Sequence, residues 1–128
     1  MPKAKPLISI IDDDESMREA IKGLMRSLGY RVEAVASAQE FLSSRLVLRT
    51  ACVIADMQMP GMTGLELYQR LSTSGKRVPT ILITAYPDDG VRERALSAGV
   101  IGYLSKPFEE DDLHACVRSA LMAGSGGR

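Results

Sequence analysis

Five apolar runs of strand length punctuate the chain: Leu7–Ile11, Val32–Val35, Ala51–Ala55, Thr80–Ile83 and Ile101–Leu104. Each is too short for a buried helix and is bounded by polar, Gly or Pro positions, which marks it as a strand. Between them the period changes. Met17, Ala20, Ile21, Leu24, Met25 and Leu28 recur at helical spacing and predict a first helix that Gly29 stops. Ser37-Ala38-Gln39-Glu40 is a capping-box signature, opening a short second helix through Phe41 and Leu42. Leu65, Tyr68 and Leu71 predict a third helix starting near Gly64. Val91, Ala95 and Ala98 predict a fourth, capped by Asp88 or Asp89 and short of large apolar side chains. Leu113, Cys116, Val117, Ala120 and Leu121 make the fifth.

The order is strand then helix, five times over. Continuous apolar strands alternating with helices imply a parallel sheet covered on both faces. Such crossovers are nearly always right-handed, so the expected fold is α/β, a (βα)5 doubly wound five-stranded parallel sheet. Ligands in these sheets bind beyond the carboxyl ends of the strands, near the switch in strand order. Asp13, Asp56, Thr84 and Lys106 all fall at predicted carboxyl ends.

Length and charge narrow the classes. At 128 residues the chain reads as one domain, large enough to bury roughly two-thirds of its unfolded surface without a disulfide or metal staple. Residues 1–6 read as a tail, 7–122 as the domain, and 123–128, with its Gly-Ser-Gly-Gly run, as a flexible tail or truncated linker. Sixteen basic residues balance sixteen acidic ones, which argues against the broad basic face of a nucleic-acid binder. Cys52 and Cys116 both sit in apolar patterns and read as buried hydrophobes. The N-terminus lacks the apolar core of a signal peptide, and no window has the apolar length of a membrane span. The expectation is a soluble, cytoplasmic protein.

The chemistry lies in three clusters: Asp12-Asp13-Asp14, Asp56 followed by Met57-Gln58-Met59-Pro60-Gly61, and Ser105-Lys106-Pro107. Gathered at one sheet edge, Asp12, Asp13 and Asp56 would repel one another. Two like charges ~4 Å apart cost about 4 kcal/mol at an effective dielectric near 20. A cation relieves that strain, and carboxylates with a backbone carbonyl suit Mg²⁺. The expected protein ligands are Asp12, Asp13, Asp56 and the carbonyl of Gln58. A carboxylate can attack phosphorus to form an acyl phosphate, which makes Asp56 the expected nucleophile. Mg²⁺ and Lys106 would offset charge on the phosphoryl oxygens, and the Thr84 hydroxyl would donate to one of them. The ~2 negative charges that arrive would bias a two-state surface.

These residues together resemble the receiver domain of two-component response regulators, from Pro6 to about Met122. The pattern is Asp12-Asp13, Asp56 with Met59-Pro60-Gly61-Met62-Thr63-Gly64, Thr84-Ala85, and Lys106-Pro107-Phe108. The phrasing of Asp12–Arg18 and Lys106–Glu109 is most similar to the FixJ-type subfamily, whose members usually carry a C-terminal helix-turn-helix DNA-binding domain. The resemblance implies a sensor histidine kinase as phosphoryl donor to Asp56, with self-catalysed phosphorylation and only slow dephosphorylation. It implies Tyr103 as the aromatic that turns inward when Thr84 shifts, and a cis Lys106-Pro107 bond. It implies that Gln58 and Tyr86 tune phosphate lifetime, and it leaves room for a homodimer on phosphorylation. DNA would be reached only through an output domain that these 128 residues do not include.

Two other classes compete. A flavin carrier of the same topology needs a carboxylate-free phosphate loop after the first strand, where Asp12-Asp13-Asp14 stand. An aspartate-nucleophile phosphohydrolase needs an acid/base two residues past the nucleophile, and Gln58 has no such chemistry. A stand-alone receiver acting through protein contacts remains beside the transcriptional reading. Asp14 reads as surface charge or helix start, and His114 as exposed helix surface.

Overall fold

The computed structural model describes residues 5–126. Its strands are β1 (Leu7–Ile11), β2 (Arg31–Val35), β3 (Thr50–Asp56), β4 (Thr80–Thr84) and β5 (Gly102–Ser105). Its helices are α1 (Glu15–Ser27), α2 (Ala38–Ser43), α3 (Leu46–Arg49), α4 (Gly64–Thr73), α5 (Asp89–Ala98) and α6 (Glu110–Gly126). All pairings are parallel, in the order β2-β1-β3-β4-β5. This is the doubly wound five-stranded sheet expected. The one extra element is α3, a single turn between α2 and β3. Helix α6 continues past Met122, and residues 1–4 and 127–128 of the two expected tails lie outside the described residues.

The strand period of two divides the core into layers. Ile8, Ile10, Cys52, Ile54, Ile81 and Ile83 face α1 and α6, packing on Ile21, Met25, Leu113 and Val117. The alternate positions Ile11, Val53, Ala55 and Leu82 face the other helices, against Phe41, Leu67, Leu71 and Ala95. With both faces covered, β1 and β4 are buried at every position. Each fully buried Leu, Ile or Phe contributes about 1.5–3 kcal/mol of transfer free energy, so this pattern dominates stability.

Caps set where the helices begin. The Asp14 carboxylate accepts the Met17 N–H at 3.2 Å, giving this acid the helix-start role. The Ser37 hydroxyl accepts the Glu40 N–H at 3.0 Å, but the Glu40 carboxylate reaches back to Ala36 rather than to Ser37. The reciprocal box is instead at α4. There Thr63 accepts from Glu66 at 3.1 Å and its own N–H donates to the Glu66 carboxylate at 2.9 Å. Asp88 caps α5, and Gly99 ends it at φ 114°, a left-handed conformation that glycine takes without strain.

Candidate functional site

Register alone brings the chemistry to one edge. Ile11 pairs with Ala55, Asp56 with Ile83, and Thr84 with Ser105. The next residues after β1 and β5 are therefore Asp12, level with Asp56, and Lys106, one residue past the level of Thr84. Strands β1 and β3 lie on either side of the point where the chain reverses its winding direction, the expected place for a ligand in such a sheet.

One oxygen each from Asp12, Asp13 and Asp56 lies within 4.8 Å of the others. Asp12 is 2% exposed and Asp56 6%, while Asp13 is open to solvent. The Lys106 ammonium stands 3.6 Å from Asp12 Oδ2 and 3.4 Å from Asp56 Oδ1. Asp56 Oδ1 is buried and has no well-aligned hydrogen bond, so among the described residues only this ion pair attends it. One ammonium faces three carboxylates. Burial pushes the Asp56 carboxyl above its ordinary pKa, the Asp12 charge adds to the rise, and Lys106 opposes it. Burial likewise raises Asp12, against the Asp14 N–H and Lys106. A site with surplus buried negative charge, an orphaned carboxylate oxygen and only oxygen donors fits a hard divalent cation of the Mg²⁺ kind.

The Thr84 hydroxyl is buried at the end of β4. It donates to the Gln58 side-chain oxygen at 2.8 Å and accepts the Tyr86 N–H at 2.9 Å. Thus Gln58 and Thr84, 26 residues apart, meet beside the acids. The Tyr86 ring is 73% exposed. Tyr103 packs half-buried against the core under α4 and α5, and its buried hydroxyl has no hydrogen-bond partner among the described residues. The Lys106-Pro107 peptide is cis, as the resemblance implied. Gly64 seats α4 against the acceptor strand, since a Cβ there would stand 2.6 Å from the Asp56 carbonyl oxygen.

Like the Gln58–Thr84 bond, a contact of Arg18 escaped the sequence reading. Arg18, half-buried on α1, donates from Nη1 to the Asp12 carbonyl oxygen at 2.8 Å. No pattern in the chain signals it, because Arg18 falls among the polar positions of an amphipathic helix. The remaining candidates hold no chemistry. Burial pushes the Cys52 thiol up to about 12 and raises that of Cys116, so neither is a reactive thiolate. His114 is only half-exposed, edge-on to Tyr30 with ring centroids 6.2 Å apart, rather than fully on the surface.

Residues 8–118 match the response regulator receiver domain family. The chain belongs to that family. It is 38% identical over 121 residues to the response regulator protein TmoT of Ectopseudomonas mendocina, covering 94% of this receiver and 55% of TmoT. It is 36% identical over 114 residues to the transcriptional regulatory protein FixJ of Bradyrhizobium diazoefficiens, covering 89% and 56% respectively. The solved structure of response regulator StyR superposes with a TM-score of 0.89 at 39% identity, covering 98% of this receiver and 63% of that chain. The receiver thus spans about half the length of the curated relatives it matches. These likenesses accord with the FixJ-type resemblance. A phosphoacceptor role is typical of the family, and response regulators work with sensor kinases.

Proposed function

We propose that this receiver accepts a phosphoryl group on Asp56 in a Mg²⁺-dependent reaction and relays its presence through Thr84 and Tyr103. The observation that carries the reading is the Asp56 carboxylate: buried, with one oxygen attended among the described residues only by Lys106 at 3.4 Å, and within 4.8 Å of two more carboxylates. An Asp56 oxygen attacks phosphorus in line as the bond from phosphorus to the donor nitrogen of a kinase phosphohistidine breaks, and that nitrogen leaves with its electron pair. Mg²⁺, when held by Asp12, Asp13, Asp56 and the Gln58 carbonyl, supplies positive charge against the phosphoryl oxygens. Lys106 adds its own charge. It already touches Asp12 and Asp56, so little reorganisation is required at the moment of transfer.

Release is slow on this reading, because Gln58 offers no acid or base to activate water. Tyr86 and Gln58 set how readily water reaches the acyl phosphate. Residues 7–122 form the switching domain. The kinase is a sensor histidine kinase meeting the receiver in the cytoplasm; no helix among the described residues is long and apolar enough to cross a membrane. Output passes through the surface of α5, β5 and α6. That surface serves to pair two copies, to control a DNA-binding module of a longer chain, or to engage a separate protein.

Incubation with acetyl phosphate, with and without Mg²⁺, followed by intact-mass measurement of wild type and Asp56→Asn, tests the reading. The expected result is one added phosphoryl group that needs Mg²⁺ and is absent from the variant. Phosphoryl gain in Asp56→Asn would overturn the assignment of the acceptor.

A further inference from the structure

We propose that Arg18 is a positioning residue for the cation site, holding the Asp12–Asp13 peptide so that both loop carboxylates converge on a bound Mg²⁺. The inference rests on the Mg²⁺-dependent reading above. It starts from the backbone of the β1–α1 loop. The Asp12 N–H donates to the Val35 carbonyl at 3.2 Å, continuing the β1–β2 ladder by one residue. The Asp12 carbonyl, on the far side of the same Cα, accepts from Arg18 Nη1 at 2.8 Å. Both peptide units flanking Asp12 are therefore held. Because a peptide is planar, fixing the direction of that carbonyl also fixes the Asp13 N–H and the line along which the Asp13 Cα departs.

That control matters most for Asp13. Its carboxylate is solvent-exposed and takes part in no hydrogen bond or ion pair among the described residues. Its oxygen nevertheless lies within 4.8 Å of the Asp12 and Asp56 oxygens, in a cluster whose like charges repel. Nothing on the side chain holds it there; the backbone does. Asp12 is better secured, since its Oδ1 accepts the Asp14 N–H at 2.9 Å and its Oδ2 faces Lys106 at 3.6 Å.

Arg18 is suited to the task. Its own N–H donates to the Asp14 carbonyl at 3.0 Å, so the side chain springs from the first turn of α1. The donor is a charged guanidinium, and bonds of that kind are shorter and stronger than neutral ones. Among the described residues Arg18 forms no ion pair with a carboxylate, so its charge does not compete with Mg²⁺ for Asp12 or Asp13. Groups that orient metal ligands from behind change metal affinity by roughly 10–100-fold when removed.

Calorimetric Mg²⁺ titration of the whole chain at neutral pH provides the test, comparing wild type with Arg18→Ala, Arg18→Lys and Arg26→Ala, an exposed arginine of the same helix. Arg18→Ala is expected to raise the Mg²⁺ dissociation constant roughly 10-fold or more. Arg18→Lys, which keeps a charged donor, should lose less, and Arg26→Ala should match wild type. Two further readouts separate positioning from a general structural role. The melting temperature of Arg18→Ala without Mg²⁺ should stay near that of wild type, and its rate of phosphorylation by acetyl phosphate should recover at saturating Mg²⁺. Unchanged Mg²⁺ affinity in folded Arg18→Ala overturns the proposal, as does a rate deficit that saturating Mg²⁺ leaves in place. If Arg18→Ala does not fold, Arg18→Met, which keeps an apolar stem and lacks the donor, decides by the same affinity criterion. Wild type that binds no Mg²⁺ removes the cation site itself, a failure read in its own arm and distinct from equal binding by wild type and variant.

Discussion

At the residue scale, Asp56 shows what a reactive carboxylate costs its own fold. Its pKa is raised first by burial and then by Asp12, with Lys106 opposing. An acid whose folded pKa lies above its ordinary value holds its proton more tightly folded than unfolded. Its stabilising contribution is therefore present at low pH and is lost as pH rises from the ordinary 3.8 through the raised value; Asp12 behaves likewise. At neutral pH without metal, Asp56→Asn should stabilise the protein by about 1 kcal/mol, raising the melting temperature by roughly 3–5 °C. The gain should shrink as the pH falls toward 4, and Mg²⁺ should favour wild type. Scanning calorimetry with and without Mg²⁺ checks the sign: a less stable Asp56→Asn would mean that the Lys106 pair outweighs burial. Thr84 carries a second prediction. Its hydroxyl has one proton, and Gln58 holds it at 2.8 Å, so donation to a phosphoryl oxygen must break that bond. A neutral hydrogen bond is worth about 1 kcal/mol net, which corresponds to roughly fivefold in an equilibrium. Gln58→Ala should accordingly bind beryllofluoride, a phosphoryl mimic, up to about fivefold tighter in the presence of Mg²⁺. Unchanged or weaker binding in a titration followed by NMR would show that Gln58 does not restrain Thr84.

At the scale of elements, the strands were legible almost to the residue, because five apolar runs bounded by polar positions leave a buried strand little freedom. Helix α3 was not, since Leu46–Arg49 is one turn without a side-chain cap, and Leu48 on it is 71% exposed. The α4 capping box was written in Thr63-Gly64-Leu65-Glu66 but passed over, whereas Ser37-Ala38-Gln39-Glu40 carries the same signature and closes only half of it. Of the site, the charged residues at strand ends could be read because strand register delivers them. The Arg18–Asp12 and Gln58–Thr84 bonds could not, because they depend on side-chain reach between loops and helices. Gly64 joins the two levels. Alanine is the better helix former by about 1 kcal/mol, yet a Cβ at Gly64 would lie 2.6 Å from the Asp56 carbonyl oxygen and 2.8 Å from Leu82 Cδ2. Strand backbone cannot give way as a flexible side chain would. Gly64→Ala should therefore destabilise by roughly 1–3 kcal/mol, the usual cost of overpacking, measured as a lower urea midpoint. An unchanged midpoint would mean that α4 can slide away from β3 at no cost.

For the whole molecule, the question is which part moves when the carboxyl edge changes charge. The sheet is a poor candidate, since β1 and β4 are buried at every position and strand order locks each central strand between two neighbours. Helix α4 buries Gly64, Leu65, Leu67 and Leu71, so moving it would uncover a large apolar face. Helix α5 is held differently. Only Ala95 of its ten residues is buried, and the Tyr68 hydroxyl adds one bond to the Ala98 carbonyl at 3.2 Å. It is also the element that follows Thr84, separated from the end of β4 by four residues. A displacement of Thr84 toward a phosphoryl group thus reaches this weakly anchored helix first, and the buried Tyr103 hydroxyl, without a hydrogen-bond partner among the described residues, gives that side of the core one polar group still to be satisfied. Elements with few buried apolar contacts open at low free energy. Backbone amides of α5 should therefore exchange with deuterium well before those of α4 and β3 in the resting protein. Beryllofluoride with Mg²⁺ should alter protection in α5 and β5 while leaving α1 unchanged. Protection in α5 equal to that in α4, or a response confined to the loop around Asp56, would place the moving surface elsewhere.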